Sequence, residues 1–277
     1  MIQIVCALHC EAKPLIELLE LKKDHTSAKF DLFQSNDVQL IISGVGKLRS
    51  AIATTFLIQR TSETRRTVLF NIGVCGSAHP GDSIGQLFLV HKVTDHATQR
   101  SYFSDLLLEH PVEEAPLETF DQPVTGEAPT TDLHLVDMEA AGFFEAASIF
   151  LAPNQIYVLK IVSDHLECLK FDKQFVTGLV ANQLDAIRAI LFAQKAALPH
   201  PTDEVLTEAD YRLIYGLRQN LRLTETQLHQ VVLQAKAYKI RFQQELDVLH
   251  PFTTRTIHHK SERRAILEEI RERLGAV

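Results

Sequence analysis

The first two thirds of the chain alternates short apolar, β-branched runs with segments whose apolar residues recur at helical spacing. Strands are predicted at Ile2–Leu8, Val38–Ser43, Thr67–Ile72, Leu87–Val93 and Ile156–Val162. Helices are predicted at Arg49–Arg60, Met138–Phe150 and Phe175–Lys195, with a further one beginning near Pro14. Alternating strands and helices imply crossover connections, which predict an α/β layered domain around a central, mainly parallel (mixed) sheet.

Two proline-containing stretches interrupt this alternation. Four prolines between His110 and Asp132 predict a loop or linker in place of a buried element. The run from Leu198 to Asp203 contains two more prolines and predicts a boundary between domains at 1–198 and 202–277.

The pattern after this boundary is helical, which predicts a C-terminal all-α region. Thr207 and Thr224 each begin a sequence typical of a capped helix start. Apolar residues recur at helical spacing from Leu228 to Leu249, predicting one long amphipathic helix, and a last helix is predicted from Ser261 to Leu274.

The composition is typical of a soluble globular protein large enough for a substantial core: 277 residues, 45% hydrophobic and 23% charged. No apolar run approaches the roughly 18 residues of a membrane span, and no leader is expected at the N-terminus. Four cysteines without a C-x-x-C pair are expected to be reduced thiols in a cytoplasmic protein. The net charge of −7 disfavours nucleic acid as a partner.

Two glycine-bearing turns are candidate sites. Ser43-Gly44-Val45-Gly46-Lys47 lies between a strand and a helix, where its backbone N–H groups can face an anion or a ribose. It does not complete a dinucleotide fingerprint because Arg49 stands at the third glycine position, so a plain tight turn remains the alternative. In Gly73-Val74-Cys75-Gly76-Ser77 the last residue departs from a nucleophile elbow, which favours a buried thiol.

The other candidates are carboxylates at the ends of predicted elements. Glu11 follows the first strand, Glu139 opens a helix and Asp164 ends a strand. Ligands of open α/β sheets bind beyond the carboxyl ends of the strands, although a single carboxylate there is more often a cap or a surface charge. No metal site is expected, because the pairs His9/Cys10, Asp95/His96 and His258/His259 lack ligand spacing.

Five segments, in this order, together resemble the nucleoside phosphorylase/methylthioadenosine-adenosylhomocysteine nucleosidase superfamily. The resemblance covers roughly residues 1–195, and a weaker match runs through Gly85–His96. The five segments are Ala7-Leu8-His9-Cys10-Glu11, Ser43-Gly44-Val45-Gly46-Lys47, Asn71-Ile72-Gly73-Val74-Cys75-Gly76, Val136-Asp137-Met138-Glu139-Ala140-Ala141-Gly142 and Ser163-Asp164.

The resemblance implies a phosphorylase/hydrolase-like fold and cleavage of the N-glycosidic bond of a purine nucleoside, without a cofactor. It implies that Asp164 donates a proton to purine N7 and that Glu11 orients and deprotonates the attacking water. Glu139 would accept hydrogen bonds from the ribose hydroxyls, and Met138 would pack under the sugar. The remaining implied site residues are Ser163 and Lys160, which would support Asp164, and the glycine-turn residues Gly44, Gly73, Val74 and Gly76.

Two departures from the superfamily pattern refine this expectation. Asn71 and Val74 stand where phosphorylases use an arginine and a serine for phosphate, so hydrolysis is preferred to phosphorolysis. The interval from His96 to Val136 is short, and only Phe103 or Phe120 can replace the aromatic residue that stacks on the base. The expected substrate is methylthioadenosine, adenosylhomocysteine or 5′-deoxyadenosine.

The sequence is also compatible with other functions. The chain could be a nucleoside-binding or scaffold protein that keeps the fold and acts through its C-terminal helices, which could serve dimerisation, partner docking or pocket closure. A basic cluster there could bind nucleic acid, but nearby glutamates favour an ion-paired surface. The resemblance implies a homo-oligomer, with a dimer favoured. The cluster comprises Arg255, His258, His259, Lys260, Arg263 and Arg264.

Overall fold

The computed structural model describes residues 1–27, 29–61, 64–126, 133–167, 172–198, 205–257 and 259–275. The chain forms two compact units, Met1–Leu198 and Pro199–Val277. His258 and the side chain of Lys260, both named in the basic cluster, lie outside the described part, as does the proline-containing run after Leu198.

The first unit is a mixed α/β structure. Its strands are β1 (Ile2–Cys6), β2 (Lys22–Lys23), β3 (Asp31–Gln34), β4 (Val38–Ile42), β5 (Val68–Ser77), β6 (Leu87–Asp95), β7 (Ser101–Phe103), β8 (Glu113–Thr119), β9 (Leu135–Asp137) and β10 (Ile156–Asp164). Its α-helices are α1 (His9–Leu18), α2 (Lys47–Ile58), α3 (Ala140–Ser148), α4 (Lys173–Ala181) and α5 (Leu184–Ala196). All five predicted strands are present, and the predicted α/β class is confirmed.

The strands form one mixed sheet with a closed side. The parallel strands β4, β1, β5 and β10 form its centre in that order. β3 extends the sheet antiparallel to β4, and β2 follows antiparallel to β3. On the other side of this centre, β6 pairs antiparallel with β10, β8 pairs parallel with β6, and β9 pairs parallel with β8. β9 also pairs antiparallel with β5, which closes this side of the sheet. The carboxyl ends of β1, β5 and β10 therefore lie side by side.

Helices cover both faces of the sheet, which gives two separate apolar layers. Residues of α2 and α3 pack on one face with Val5 of β1, whereas residues of α1, α4 and α5 pack on the other with Ile2, Ile4 and Cys6. This alternation along β1 is the period-two pattern of a strand buried on both faces.

The glycine-bearing segment after Ile72 is strand, so the predicted turn there is wrong. β5 continues to Ser77, and neither Gly73 nor Gly76 has a positive φ. Close packing favours both glycines: a Cβ at Gly73 would lie 2.6 Å from Glu11 Oε1, and one at Gly76 would lie 2.9 Å from Leu166 Cδ2, so either side chain would have to shift.

The proline-containing stretch from His110 to Asp132 contains a buried strand, β8, so the predicted loop is also wrong over Glu113–Thr119. Ala115, Leu117 and Thr119 alternate into the core. The ladder with β6 shifts register between Ala115 and Pro116, and a bulge is a position where a strand tolerates proline. Residues 127–132 of this stretch lie outside the described residues.

Two helix predictions also need correction. α1 begins at His9, five residues before Pro14, and the Cys10 carbonyl that Pro14 leaves without an N–H donor accepts a 3.0 Å hydrogen bond from Thr177 Oγ1. The helix predicted from Phe175 to Lys195 is two helices, α4 and α5. The chain turns between them at Gln183, whose side-chain amide donates to the Gly85 carbonyl.

No single helix among the described residues is long and apolar enough to cross a membrane. The helices α4 and α5, bent by 58°, meet that criterion only as a pair and only by length and composition.

The second unit is helical, with α6 (Glu208–Asn220), α7 (Glu225–Phe242), a 3₁₀ helix (Leu246–Phe252) and α8 (Lys260–Arg273). The capped starts at Thr207 and Thr224 are confirmed, because each threonine exchanges hydrogen bonds with the residue three positions on. The single long helix predicted up to Leu249 is wrong: Gln243 adopts a left-handed conformation (φ 51°) and ends α7.

The chain that follows α7 returns to the core of the second unit. Leu246 and Leu249 of the 3₁₀ helix pack with buried residues of α6, α7 and α8. In the basic cluster, Arg255 binds Glu269, and Arg263 donates to the Arg222 carbonyl.

Candidate active site

The candidate residues predicted from the sequence meet at the carboxyl ends of β1, β5 and β10 and at the junction of β9 with α3. In the register of β10 with β5, Lys160 lies beside Gly73 and Asp164 beside Gly76. Glu11 follows β1, and Glu139 is the residue before α3.

Glu11 is buried and held at both carboxylate oxygens. Its Oε2 accepts a hydrogen bond from the Leu8 backbone N–H (2.8 Å), and its Oε1 accepts one from the Val74 N–H (3.0 Å). Burial raises the pKa of Glu11, while the Val74 N–H and the charge of Lys160 oppose that rise. The absence of a side chain at Gly73 makes room for this carboxylate against β5.

Glu139 joins the same region from the start of α3. Its Oε1 accepts a 2.9 Å hydrogen bond from the Gly46 N–H, so one glycine-bearing turn binds a site residue. Burial, together with the charge of Asp137, raises the pKa of Glu139 to about 7. Its Oε2 makes no hydrogen bond within the described residues, which leaves that oxygen for a ligand.

Lys160 is a buried cation among these carboxylates. Its Nζ lies 2.8 Å from Asp137 Oδ2, and both side chains are almost completely buried. Although burial by itself lowers the pKa of Lys160, the charges of Asp137, Glu139 and Glu11 raise it overall. The ammonium group is therefore charged and balances the carboxylates around it.

Asp137 is a site residue that the sequence reasoning missed. Besides Lys160, its carboxylate accepts from Thr119 Oγ1 (2.6 Å) and from the Ala140 N–H at the start of α3 (2.8 Å). An aspartate directly before a predicted helix is a capping signal, but its buried partner on β10 has no signature in the local sequence.

Asp164 is half-buried at the end of β10. Its Oδ1 accepts from the Leu166 N–H (3.0 Å), and its Oδ2 lies 2.6 Å from the hydroxyl of Ser163, which is also 3.0 Å from the Cys75 carbonyl. These contacts orient the Asp164 carboxyl beside Gly76, whose absent side chain leaves space there.

The remaining predicted site residues lie nearby in less specific roles. Met138 is half-buried between Asp137 and Glu139, and Val74 contributes only its N–H. Gly44 has φ +83°, a backbone conformation that residues with a side chain rarely adopt, and its N–H donates a hydrogen bond to the Ala7 carbonyl. Burial raises the pKa of the Cys75 thiol, as expected of a buried thiol and not of a nucleophile.

The two aromatic candidates differ in position. Phe103 is exposed on β7. Phe120 is buried, stacks on His96 with 4.1 Å between ring centroids, and packs with Val136 and Leu166. Because Val136 and Leu166 both lie against Gly76, Phe120 belongs to the cluster nearest Asp164.

The assembled site offers a fixed carboxylate of raised pKa at Glu11, an acceptor oxygen at Glu139, a buried cation at Lys160 and a carboxyl at Asp164. A base, an acceptor for hydroxyl groups and an acid can act on one small molecule in this arrangement. Outside it, one further set of described side chains, His79, Asp82 and His134, can present ligand atoms to a metal ion.

No protein-family model matches the sequence, and no curated protein matches it. Among solved structures, the chain is similar to the 5′-methylthioadenosine/S-adenosylhomocysteine nucleosidase of Helicobacter pylori, with 16% identity and a TM-score of 0.60 over 69% of this chain and 97% of that one. The corresponding nucleosidase of S. pneumoniae gives 20% identity and a TM-score of 0.58 over 70% and 98%. A futalosine hydrolase mutant of Helicobacter pylori gives 15% and 0.58 over 69% and 98%. The chain therefore has the fold that its sequence segments resemble.

Proposed function

We propose that this protein hydrolyses the N-glycosidic bond of an adenosine-type nucleoside. The observation that carries the proposal is the juxtaposition of Glu11, fixed by two backbone N–H groups, with Glu139, Lys160 and Asp164 at adjoining strand ends. The shared fold supports it, because the solved neighbours are named as nucleosidases for 5′-methylthioadenosine and S-adenosylhomocysteine or as futalosine hydrolase.

Glu11 activates the water in this proposal. Its raised pKa makes the carboxylate a stronger base than a solvent-exposed glutamate, and its two backbone contacts hold it in one orientation. Water adds across the bond: the hydroxide goes to C1′ of the ribose, and the bond from C1′ to purine N9 breaks. The charge of Lys160 keeps Glu11 ionised before it accepts the proton.

Asp164 supplies the proton that the leaving base needs. Protonation at N7 lets the purine depart as a neutral base while positive charge develops on the ribose. Ser163 lies 2.6 Å from Asp164 Oδ2 and positions this carboxyl. Glu139 accepts hydrogen bonds from the ribose hydroxyls through its free Oε2, and Met138 packs under the sugar.

Hydrolysis is favoured over phosphorolysis by the groups around Val74. The side-chain amide of Asn71 donates to the Val5 carbonyl, and the Val74 N–H is already bound to Glu11. Neither residue offers phosphate a hydroxyl group or a cationic side chain. We assign the substrate to the 5′-modified adenosines, namely methylthioadenosine, adenosylhomocysteine and 5′-deoxyadenosine.

The variant Asp164→Asn tests the mechanism. Asparagine keeps the size and the acceptor for the Leu166 N–H but removes the acid, so base release is expected to fall by about 100-fold or more with folding intact. Asp185→Asn, a change at an exposed carboxylate on α5, serves as the control and should leave release unchanged. Unchanged release in Asp164→Asn would refute the role of this acid.

We further infer a cytoplasmic homodimer. The three cysteines in the described residues, Cys6, Cys10 and Cys75, are buried free thiols, as in a reducing compartment. On α2, which begins at the Gly44–Gly46 turn, Leu48 and Ile52 share one helical face and are 81% and 61% exposed. We propose that a second copy of the chain covers this face.

A further inference from the structure

We propose that His79, Asp82 and His134 form a binding site for a divalent transition-metal ion, separate from the nucleoside site. Each of the three side chains offers one ligand atom, and these atoms all lie within 4.8 Å of one another. None of the three belongs to the residues assigned above to catalysis or substrate binding, so the proposal is independent of the proposed function.

Asp82 forms the centre of the cluster. Its side chain is 7% exposed, and His134 Nε2 lies 2.9 Å from its Oδ2, while His79 Nδ1 lies 3.5 Å from its Oδ1. The rings of the two histidines are 5.3 Å apart between centroids. The two imidazoles therefore approach the same carboxylate, one at each oxygen.

The surrounding contacts hold the ligands in place. Ser77 Oγ lies 2.5 Å from Asp82 Oδ2 and accepts a hydrogen bond from the His79 N–H. The Ala78 N–H donates to the His134 carbonyl, which joins the two chain segments through the backbone. Phe88 packs edge-on against the His134 ring. Hydrogen bonds to a ligating carboxylate are the second layer that orients metal ligands in proteins.

The donor set selects the class of ion. Two imidazoles and one carboxylate suit zinc and similar first-row divalent ions, whereas magnesium and calcium prefer all-oxygen sites. Ligand atoms that each lie about 2.1 Å from one bound ion are closer together than 4.8 Å, so these side chains must move closer together when they bind the ion. His79 is 64% exposed, so its ring is free to turn inward, and its exposure leaves a fourth position for water.

The position of the cluster suggests what the ion does. His79 and Asp82 lie in the segment between β5 and β6, and His134 lies directly before β9, which pairs with the end of β5. An ion bound to all three side chains cross-links these two strand ends. Because β5 carries Gly76 and β9 ends at Asp137, the ion would stabilise the framework of the site without contacting the substrate.

Equilibrium dialysis of the full chain against Zn²⁺, with bound metal counted by mass spectrometry, tests the proposal. We expect saturable binding of about one ion per chain, weakened by about 10-fold or more in His79→Asn and in His134→Asn. His250→Asn is the matched control: His250 is as exposed as His79 and contacts an aspartate three residues away, at 3.4 Å. That aspartate, Asp247, is exposed, and the pair is in no three-residue ligand group among the described residues.

A second readout is the thermal midpoint, which bound Zn²⁺ should raise in the unaltered chain and in His250→Asn but not in His79→Asn. His79 is exposed, so its replacement is not expected to impair folding. Absence of saturable Zn²⁺ binding would overturn the proposal. So would equal binding by the unaltered chain and His79→Asn.

Discussion

At the scale of single residues, Lys160 determines the charge balance of the candidate site. Three carboxylates, those of Glu11, Asp137 and Glu139, act on its ammonium group. Burial raises the pKa of Glu11 and of Glu139, and Lys160 opposes the rise in both. Removing this cation would leave buried negative charge without compensation, which proteins relieve by protonation or by unfolding.

Lys160→Met is therefore expected to lower the free energy of unfolding by about 3–5 kcal/mol, the usual loss when one partner of a buried ion pair is removed. Chemical denaturation followed by circular dichroism measures this loss. Lys195→Met is the control: Lys195 pairs with the exposed Asp37, and such pairs contribute about 1 kcal/mol or less. Equal losses in the two variants would contradict the role given to Lys160.

The sequence allowed Glu11, Glu139 and Asp164 to be predicted because each stands at the end of an element with a clear hydrophobic pattern. It did not reveal the pairing of Asp137 with Lys160, which depends on the closure of β9 onto β5 and on the register of β10. The cluster of His79, Asp82 and His134 was missed for the same reason, since its histidines are far apart in the chain.

At the scale of elements, the close approach of α2 and α3 brings the Gly46 N–H to Glu139. Gly142 permits this approach, because a Cβ at that position would lie 2.1 Å from the Lys47 carbonyl oxygen. The two helices would have to move apart to admit a side chain. Glu139 precedes α3, so that movement would also displace Glu139 from Gly46.

Gly142→Ala is expected to destabilise the protein by about 3 kcal/mol or more, since the clash is with backbone. Gly178→Ala, in α4, is the matched control: a Cβ there meets nothing within 4 Å, and alanine should stabilise that helix by about 0.5–1 kcal/mol. Thermal unfolding of the two variants beside the unaltered chain measures both changes. If Gly142→Ala left the stability unchanged, the contact between α2 and α3 would be shown to adapt to a side chain, which would contradict this expectation.

Strands with continuous apolar runs were predictable, whereas β8 was not. Its buried positions Ala115, Leu117 and Thr119 alternate with less buried residues, as in a half-buried strand, but Pro116 among the latter argues against a ladder. Only the pairing with β6 shows that the proline falls at a bulge. The prediction of a turn at Gly73 was also wrong, because that glycine lies within β5 and allows close packing against Glu11.

At the scale of the whole molecule, the exposed apolar face of α2 is the proposed surface for a second copy. Ile52→Lys is expected to convert a dimer to a monomer in size-exclusion chromatography with light scattering, because a charge would be buried at the interface. Ile240→Lys is the control: Ile240 is 65% exposed on α7, against 61% for Ile52 on α2. A dimer lost only in Ile240→Lys would assign dimerisation to the C-terminal helices instead.

Hydrolysis of nucleosides by the first unit is tested most directly by incubating the purified chain with 5′-methylthioadenosine. Free base would be followed by chromatography with and without phosphate, with adenosylhomocysteine and 5′-deoxyadenosine as further substrates. The arrangement of Glu11, Glu139 and Asp164 predicts release of adenine at the same rate in both conditions. Release only with phosphate would contradict hydrolysis, and binding of these nucleosides without release would identify a nucleoside-binding protein.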